Sequence, residues 1–505
     1  MKRSTFVRLG CMLLALLMLV CVCVACANDK DNSNDTTPNT QGGNTNPSDT
    51  DNPNGGDDTG TNLEGDDIPK DLNYNGKTIT LLYWADREHE EFEVADQMGE
   101  NVNDAIFNRN LTIEDRLGID MQFRSTDGNA GNVQNWVQYV NNSIQAGGGE
   151  FDVFACYSLS MAATAARGMC YNLLDDDCDY LNFDKPWWPA RLITEATIND
   201  KLYFASGDIS ANALYMMYVC YVNTDIQTEM GLPNVFELVE NNEWTYEKFI
   251  SMCSNVYIEQ NGDGVKSVGD RFGYMTSGIH VDPWFYGSGA LIVDKDGAGN
   301  LQLSPSFSGE RVIKTIEMLN NLLYNTQDAL YTSKVNHQIE FNNGNLLFAM
   351  DRCRISITKF DNIDLHFAVV PAPKYDSAQE SFVTVMGNPF TLYGLPIDTK
   401  EDELSMLSAY LETYASESYR QVTPELYGVS LKTKYVQDSE SAKMYDIIRE
   451  NLTFDLGRLF SESLLGQGNF RSAISGNSNN WASQAKAVAK QMPKKLDKLI
   501  SAYEG

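Results

Sequence analysis

Strand and helix patterns alternate at the start of the folded body, and this alternation restricts the fold more than any other feature of the chain. Apolar, β-rich runs at 78–84, 119–123 and 151–155 predict three buried strands. Between these runs, apolar residues recur at helical spacing through 102–117 and 133–144, which predicts two amphipathic helices. A βαβαβ order needs crossover connections, so we expect the three strands to form a parallel sheet.

The rest of the chain supplies a second α/β unit and a helix-rich C-terminal part. Further strands are predicted at 201–205, 215–222, 290–293, 346–350 and 367–370. Further helices are predicted at 244–257, 311–324, 403–416, 441–451 and 484–503. With 505 residues, of which 43% are hydrophobic, the chain is long enough for two α/β lobes. We assign the first lobe to 71–215 plus a later returning segment, and the second lobe to 222–380 plus the C-terminal helices.

The charge balance excludes one class of function. Lysine and arginine total 38 against 69 acidic residues, which gives a formal net charge of −31. Such a chain repels phosphate backbones and anionic lipid headgroups, so nucleic-acid binding is not expected.

Residues 1–25 have the form of a secretory signal peptide. A positively charged start, with Lys2, Arg3 and Arg8, precedes an apolar run at 11–25 that is shorter than a membrane span of about 20 residues. The Cys-Val-Ala-Cys sequence that ends at Cys26 resembles the lipobox of bacterial lipoproteins, whose last cysteine carries the lipid. This resemblance implies that Cys26 is lipidated and anchors the protein at the extracellular face of the cell envelope. An ordinary signal peptide cleaved nearby remains the alternative.

Residues 26–70 form an acidic segment rich in Asn, Asp, Gly, Thr, Ser and Pro. A segment of this composition cannot bury enough apolar surface to fold alone, so we predict a disordered tether.

Six cysteines lie beyond this segment, and their spacing matches no CxxC pair or Cys/His metal motif. Cys156, Cys220 and Cys253 lie in apolar runs and are predicted to be core residues. Cys170 and Cys178 are close enough in sequence for a local disulfide, and we leave that pairing open.

A twelve-residue segment at 259–270 has the spacing of a calcium-binding loop. Its predicted ligands are the side chains of Glu259, Asn261, Asp263, Ser267 and Asp270 and the carbonyl oxygen of Val265. Gly264 occupies the sixth position, where the loop turns sharply. Glu259 and Asp270 differ from the usual first and last residues, so we expect a structural Ca²⁺ of modest affinity, and a polar turn without metal is the alternative.

Several short segments together resemble one protein family. They are the lipobox, 103–110 (NDAIFNRN), 185–188 (KPWW), 207–210 (GDIS), 244–247 (WTYE) and 371–375 (PAPKY). In this order they resemble the extracellular solute-binding proteins of bacterial ABC importers, in the group related to maltose- and oligosaccharide-binding lipoproteins. The likeness extends from residue 78 to the C-terminus.

This resemblance implies an α/β, two-lobed type II periplasmic-binding fold that closes on a ligand and delivers it to the transmembrane subunits of a permease. In open α/β sheets, ligands bind beyond the carboxyl ends of the strands. Nine residues in or near such loops are the predicted ligand contacts: Trp84, Asp86, Tyr157, Trp188, Asp208, Tyr215, Trp284, Asp351 and Arg352. Aromatic rings stack on sugar rings, and charged side chains pair with hydroxyl groups.

The predicted function is therefore a monomeric, lipid-anchored binding protein for a carbohydrate, with an oligosaccharide as the first choice. Polyols, peptides and lipid-derived headgroups remain alternative ligands. A secreted glycoside hydrolase is the alternative activity, because such enzymes need only two carboxylates. The sequence contains no GxSxG elbow, HExxH motif or P-loop, so we expect no catalysis.

Overall fold

The computed structural model describes residues 63–362, 364–427 and 439–504. The predicted signal peptide, the predicted lipidation site Cys26 and most of the predicted tether lie outside these residues. Within them, no helix combines the length and the apolar character that crossing a membrane requires.

The strands of the described residues are numbered in chain order. They are β1 Lys77–Trp84, β2 Ile119–Thr126, β3 Val153–Tyr157, β4 Tyr218–Asn223, β5 Phe272–Thr276, β6 Val293–Lys295, β7 Leu301–Leu303, β8 Ala329–Tyr331, β9 Leu346–Arg352, β10 Phe367–Val370, β11 Thr384–Val385, β12 Thr391–Gly394 and β13 Leu452–Thr453.

The α-helices of the same residues are also numbered in chain order. They are α1 Asn101–Leu117, α2 Val133–Gln145, α3 Ser158–Ala165, α4 Ala190–Ala196, α5 Ala211–Tyr215, α6 Thr224–Glu229, α7 Val235–Glu240, α8 Tyr246–Cys253, α9 Asp282–Gly287, α10 Glu310–Asn320, α11 His337–Asn342, α12 Ile355–Thr358, α13 Glu401–Glu417, α14 Thr423–Glu425, α15 Ser439–Glu450, α16 Leu456–Leu459, α17 Gln467–Ser475 and α18 Trp481–Ser501. Short 3₁₀ turns occur at Gly278–Val281 and Pro305–Ser308, and π-helical turns at Asn321–Asn325 and Ser418–Val422.

The first sheet has the strand order β12-β3-β1-β2. Strand β1 pairs in parallel with both β2 and β3, so the parallel sheet predicted from the βαβαβ pattern is confirmed. Strand β12 arrives from much later in the chain and pairs antiparallel with β3. The helices between the strands are amphipathic as predicted: α1 buries Ile106, Ile113 and Leu117, and it ends at Gly118, which adopts a left-handed conformation with φ 59°.

The second sheet has the strand order β10-β4-β9-β5-β8. Strand β9 is parallel to β5 and antiparallel to β4, and β10 is antiparallel to β4. Four of its five strands therefore run in one direction and end at one edge of the sheet. The predicted strand at 367–370 has these bounds in the structure, and the one predicted at 346–350 extends to Arg352.

Two strand predictions were wrong, and several strands were missed. Residues 201–205 form only isolated bridges, and 290–293 contributes one residue to β6, which forms a hairpin with β7. One of the missed strands is β5, whose short apolar run is interrupted by Gly273. A Cβ at this glycine would lie 2.6 Å from the Cα of Cys253, so glycine allows helix α8 to pack directly on the strand.

The chain crosses from the first sheet to the second between α5 and β4 and returns between β11 and β12. The two crossing segments touch each other, because Met217 and Met386 form a bridge and the Gly387 N–H donates to the Met216 carbonyl oxygen at 2.7 Å. The predicted strand at 215–222 accordingly starts later, at Tyr218.

The six cysteines of the described residues are all buried, free thiols. Cys170 and Cys178 therefore form no disulfide here, and the Sγ atom of Cys170 instead lies 3.9 Å from the Sδ atom of Met161.

Residues 63–70, which the sequence analysis assigns to the tether, pack on the body. Asp66 has a side chain only 2% exposed and pairs with Arg116 at 2.7 Å and with Arg420 at 3.1 Å. Burial alone would raise the pKa of Asp66, but hydrogen bonds from Arg116 and Ser416 outweigh burial and hold this pKa well below its usual range. The folded body thus begins earlier than the composition indicates.

We expect Asp66→Asn to lower the free energy of unfolding at pH 7 by about 2 kcal/mol, because it removes charge-assisted hydrogen bonds from a buried group. Since folding lowers the pKa of Asp66, its contribution is present above the ordinary pKa of 3.8 and is lost as the pH falls below it. Urea unfolding at pH 7 and pH 3 measures both effects. Asp71→Asn, at an exposed position directly after this segment, is the control. An equal decrease in the free energy of unfolding in the two variants would contradict the role of the ion pairs. So would a decrease for Asp66→Asn that is as large at pH 3 as at pH 7.

Candidate functional site

Segments from the two sheets meet at the ends of β1 and β9. Glu88, which follows β1, forms an ion pair with Arg354 and lies 4.0 Å from the guanidinium group of Arg352. Arg352 is the last residue of β9, and Arg354 lies just beyond it. Because ligands of α/β proteins bind at the carboxyl ends of parallel strands, this contact joins the two edges at which a ligand is expected.

A cavity of about 620 Å³ lies at this meeting and is called the first cavity. Its lining residues come from both sheets: Ala85, Arg87, Glu88, His89 and Glu90 after β1, Gly99–Asn103 at the start of α1, Tyr215 before β4, and Ile357 and Thr358 after β9. The volume is in the usual range for a small-molecule site, and the lining is rich in charged and polar groups.

His89 lies in the first cavity in a form suited to bind a hydroxyl group. Its ring centroid lies 4.4 Å from that of Tyr215. Burial lowers the pKa of His89 to about 4, so the imidazole is neutral at pH 7. Its Nε2 atom is buried and makes no hydrogen bond to the described residues, and it can donate or accept according to the tautomer.

The carboxyl edge of the second sheet carries further buried polar atoms that lack partners among the described residues. They are the hydroxyl groups of Tyr218 and Ser277 and the Nδ1 atom of His280. Each of these residues is at most 2% exposed. Buried polar groups are almost always hydrogen-bonded, so this edge has the capacity to hold polar partners.

Two arginines share one buried carboxylate near the same edge. Asp282, in the first turn of α9, accepts hydrogen bonds from Arg458 at 2.5 Å and from the Nε atom of Arg471 at 2.7 Å. Burial alone would raise the pKa of Asp282, but the two guanidinium groups outweigh it and lower the pKa. The group carries a net positive charge, in contrast to the chain as a whole.

Three of the predicted ligand contacts lie together where β9 ends and β4 begins. Tyr215 lines the first cavity, and Arg352 approaches Glu88 there. Asp351 lies beside Arg352, but it is only 1% exposed, and its Oδ2 atom binds His337 at 2.8 Å and Gln338 at 2.7 Å.

Three other predicted contacts support the loops at the carboxyl edge of the first sheet. Trp84 and Tyr157 are buried with ring centroids 5.4 Å apart, and the Trp84 Nε1–H donates to Thr391. Asp86 accepts hydrogen bonds from the N–H groups of Gly128 at 2.8 Å and Asn129 at 3.0 Å. These side chains fix the loops after β1, β2 and β3, and the two aromatic rings are not exposed for stacking.

Trp188 and Asp208 lie in a second cavity, of about 550 Å³, which shares no lining residue with the first. Both oxygens of Asp208 accept from Arg449, at 2.7 and 2.6 Å, and burial raises the pKa of Asp208 to about 6. The Trp188 Nε1–H donates to Glu412 at 2.9 Å. The adjacent Trp187 is fully buried, whereas Trp188 borders a cavity.

Trp284, another predicted ligand contact, is enclosed in the core of the second sheet. It lies in helix α9 with 0% exposure, its Nε1–H donates to Tyr274 at 3.1 Å, and its ring packs edge-on to Phe249. A ring enclosed on all sides by the core of the second sheet has no surface left for a ligand.

Glu88, His89, Arg354 and His280 were not among the predicted ligand contacts. The first three lie within a few residues of strand ends that were correctly predicted, so a wider window after each strand would have included them. His280 lies four residues after β5, and it was missed because that strand was not predicted.

The predicted calcium loop is held by hydrogen bonds between its own residues. The first carboxylate, of Glu259, accepts from the N–H of Asp263 at 3.1 Å. The last, of Asp270, is buried and accepts from the N–H groups of Gln260 at 3.1 Å and Ser267 at 3.0 Å. Gly264 has φ 70°, as the sharp turn requires. Of the other predicted ligands, Asn261 and Asp263 accept from loop N–H groups, and Val265 is exposed.

No protein-family model and no curated protein sequence matches this chain. Solved structures do match it at low sequence identity. The maltose/maltodextrin-binding domain MalE from Bdellovibrio bacteriovorus, bound to maltotriose, is 14% identical with a TM-score of 0.51, and the match covers 82% of this chain and 99% of that one.

Two further structures give a similar result. UgpB from Mycobacterium tuberculosis, in complex with glycerophosphocholine, is 15% identical with a TM-score of 0.51 over 78% of this chain and 96% of that one. An ABC transporter solute-binding protein from Agrobacterium radiobacter K84, in complex with ribitol, is 14% identical with a TM-score of 0.50 over 83% of this chain and 99% of that one. The chain therefore has the α/β type II periplasmic-binding fold, and the resemblance to the solute-binding proteins of ABC importers is confirmed at the level of the fold.

Proposed function

We propose that this protein is the extracellular substrate-binding protein of an ABC transporter. In this proposal it acts as a monomer, is anchored through lipidated Cys26, captures a carbohydrate in the first cavity and delivers it to the permease without altering it. The observation that supports the proposal most directly is the first cavity itself, because residues from the carboxyl edges of both sheets line it.

The chemistry of the first cavity favours a polyhydroxylated ligand. Hydroxyl groups both donate and accept hydrogen bonds, and the cavity offers the carboxylates of Glu88 and Glu90, the neutral imidazole of His89 and the amide of Asn101. The ring of Tyr215 adds an aromatic surface. Three proteins of the same fold bind maltotriose, ribitol and glycerophosphocholine, all of which carry several hydroxyl or ester oxygens.

Binding to an oligosaccharide panel tests the ligand class. We expect at least one sugar to raise the melting temperature, because a ligand that binds only the folded state stabilises it. Stabilisation by oligopeptides alone would overturn the carbohydrate assignment, and release of products from a glycan would favour the alternative of a glycoside hydrolase.

Calorimetry with the best sugar of that panel then locates the site. His89→Phe keeps an aromatic ring but removes the nitrogen, and we expect it to weaken binding about tenfold through loss of one hydrogen bond. His366→Phe, at an exposed histidine paired with Asp225, should leave the affinity unchanged. Arg191→Gln alters an exposed residue that lines the second cavity. If Arg191→Gln weakens binding and His89→Phe does not, the ligand lies in the second cavity.

The ion pair of Glu88 with Arg354 is expected to favour the closed arrangement of the two lobes. In Glu88→Gln the attraction between the segments after β1 and β9 is reduced, so we expect a larger radius of gyration in solution scattering without ligand. Glu90→Gln, in the same loop but paired with the neighbouring Arg87, should leave the radius unchanged. Equal radii for the wild-type protein and Glu88→Gln would contradict this role.

We also propose that the loop at 259–270 binds a structural Ca²⁺. Its support is the hydrogen bonding within the loop, which holds the carboxylates of Glu259 and Asp270 in place before any ion arrives. Addition of Ca²⁺ after chelation should raise the melting temperature, and Asp263→Asn should reduce that rise. Asp296→Asn, in the hairpin turn between β6 and β7, should keep it. If the melting temperature changes with neither chelator nor Ca²⁺, the proposal is wrong.

A further inference from the structure

Three buried side chains with metal-binding donors meet at the carboxyl edge of the second sheet. His280 lies in the 3₁₀ turn after β5, His337 is the first residue of α11, and Asp351 is the penultimate residue of β9. They are 2%, 0% and 1% exposed. Their donor atoms all lie within 4.8 Å of one another.

The contacts within this cluster leave the Nδ1 atoms of both imidazole rings without a hydrogen-bond partner among the described residues. His337 Nε2 lies 2.8 Å from Asp351 Oδ2, which is a hydrogen bond. His280 Nδ1 lies 3.5 Å from Asp351 Oδ1 and forms no hydrogen bond, although it is fully enclosed. The two imidazole rings are edge to face, with centroids 4.4 Å apart. A buried imidazole nitrogen without a hydrogen bond costs free energy unless a further partner is present.

We propose that His280, His337 and Asp351 bind one divalent transition-metal ion, for which Zn²⁺ is the best fit. Two imidazole nitrogens and one carboxylate oxygen are a donor set that Zn²⁺ favours, whereas Ca²⁺ and Mg²⁺ prefer oxygen ligands alone. Three protein donors leave a fourth position for a water molecule or for a hydroxyl group of a captured ligand. Binding of the ion itself does not depend on the proposed transport function.

Two of the donor–donor distances lie within about half an ångström of those in a tetrahedral zinc site. Donors at about 2.0–2.1 Å from a tetrahedral Zn²⁺ lie about 3.3 Å from one another. The 3.5 Å between His280 Nδ1 and Asp351 Oδ1 is already close to this value. The 2.8 Å between His337 Nε2 and Asp351 Oδ2 must lengthen by about half an ångström, as the ion replaces the shared proton.

Other groups that face the cluster set its affinity. Arg352 Nε lies 3.3 Å from Asp351 Oδ1, and its positive charge opposes a second cation. Gln338 donates to Asp351 Oδ2 at 2.7 Å and orients that oxygen. The carboxylate of Asp282 favours positive charge at His280, but Arg458 and Arg471 neutralise it. We therefore expect Arg352→Gln to bind the metal more tightly than the wild-type protein does.

The test is metal binding by the purified protein after treatment with chelator. Zn²⁺ is titrated in competition with a chromophoric chelator, and bound metal is counted by elemental analysis after gel filtration. We expect one Zn²⁺ per chain at this site, and a loss of affinity of at least tenfold in His280→Asn and Asp351→Asn. With Co²⁺ in place of Zn²⁺, the wild-type protein should show the visible absorption of a tetrahedral nitrogen and oxygen site, and His280→Asn should not.

Two control variants show whether any loss of Zn²⁺ binding is specific to the proposed site. His366→Asn removes an exposed histidine beside Asp225 and should keep the Zn²⁺ stoichiometry, and Asp263→Asn in the calcium loop should do the same. Unfolding in chelator, compared between His280→Asn and the wild-type protein, separates loss of metal binding from loss of the fold. The proposal is overturned if a folded His280→Asn binds Zn²⁺ as the wild-type protein does, if His366→Asn abolishes binding, or if the wild-type protein retains no metal.

Discussion

The antiparallel placement of β4 determines how the two sheets are related. The chain leaves the first sheet at α5 and enters the second at Tyr218, which pairs with Arg352 at the carboxyl end of β9. Because β4 begins at this edge, the segment that connects the two sheets lies beside the carboxyl ends of the other strands of the second sheet. The contact of Glu88 with Arg354, the first cavity and the buried polar edge all follow from this arrangement.

Charge is distributed unevenly between the surface and this meeting of the two sheets. The chain carries a formal charge of −31, yet Arg352, Arg354, Arg458 and Arg471 lie close to the carboxyl edge of the second sheet. Their acidic partners are Glu88, Asp282 and Asp351, so each of these arginines lies beside a carboxylate. Buried charges persist only when paired, and this pairing holds several loops of the edge in fixed positions.

Local sequence patterns predicted many of the strands and helices. The roles of individual side chains depend instead on partners that are distant in the sequence. The apolar runs at 78–84 and 367–370 identify strands because their burial follows from their own residues. Asp208 was placed near a ligand because it follows the strand predicted at 201–205, but it pairs with Arg449, which lies 241 positions later in the sequence. Such a partner leaves no trace in the spacing of nearby residues. Strand β5 was missed for a related reason, since the need for Gly273 comes from helix α8 packed against it.

The position of residues 63–70 determines which half of the molecule bears a load applied from the N-terminus. Asp66 fastens this segment to Arg116, at the end of α1, and to Arg420, so it is tied to the half built on the first sheet. A pull on residue 63 therefore acts directly on that half and reaches the half built on the second sheet through the crossing segments at Met217 and Met386.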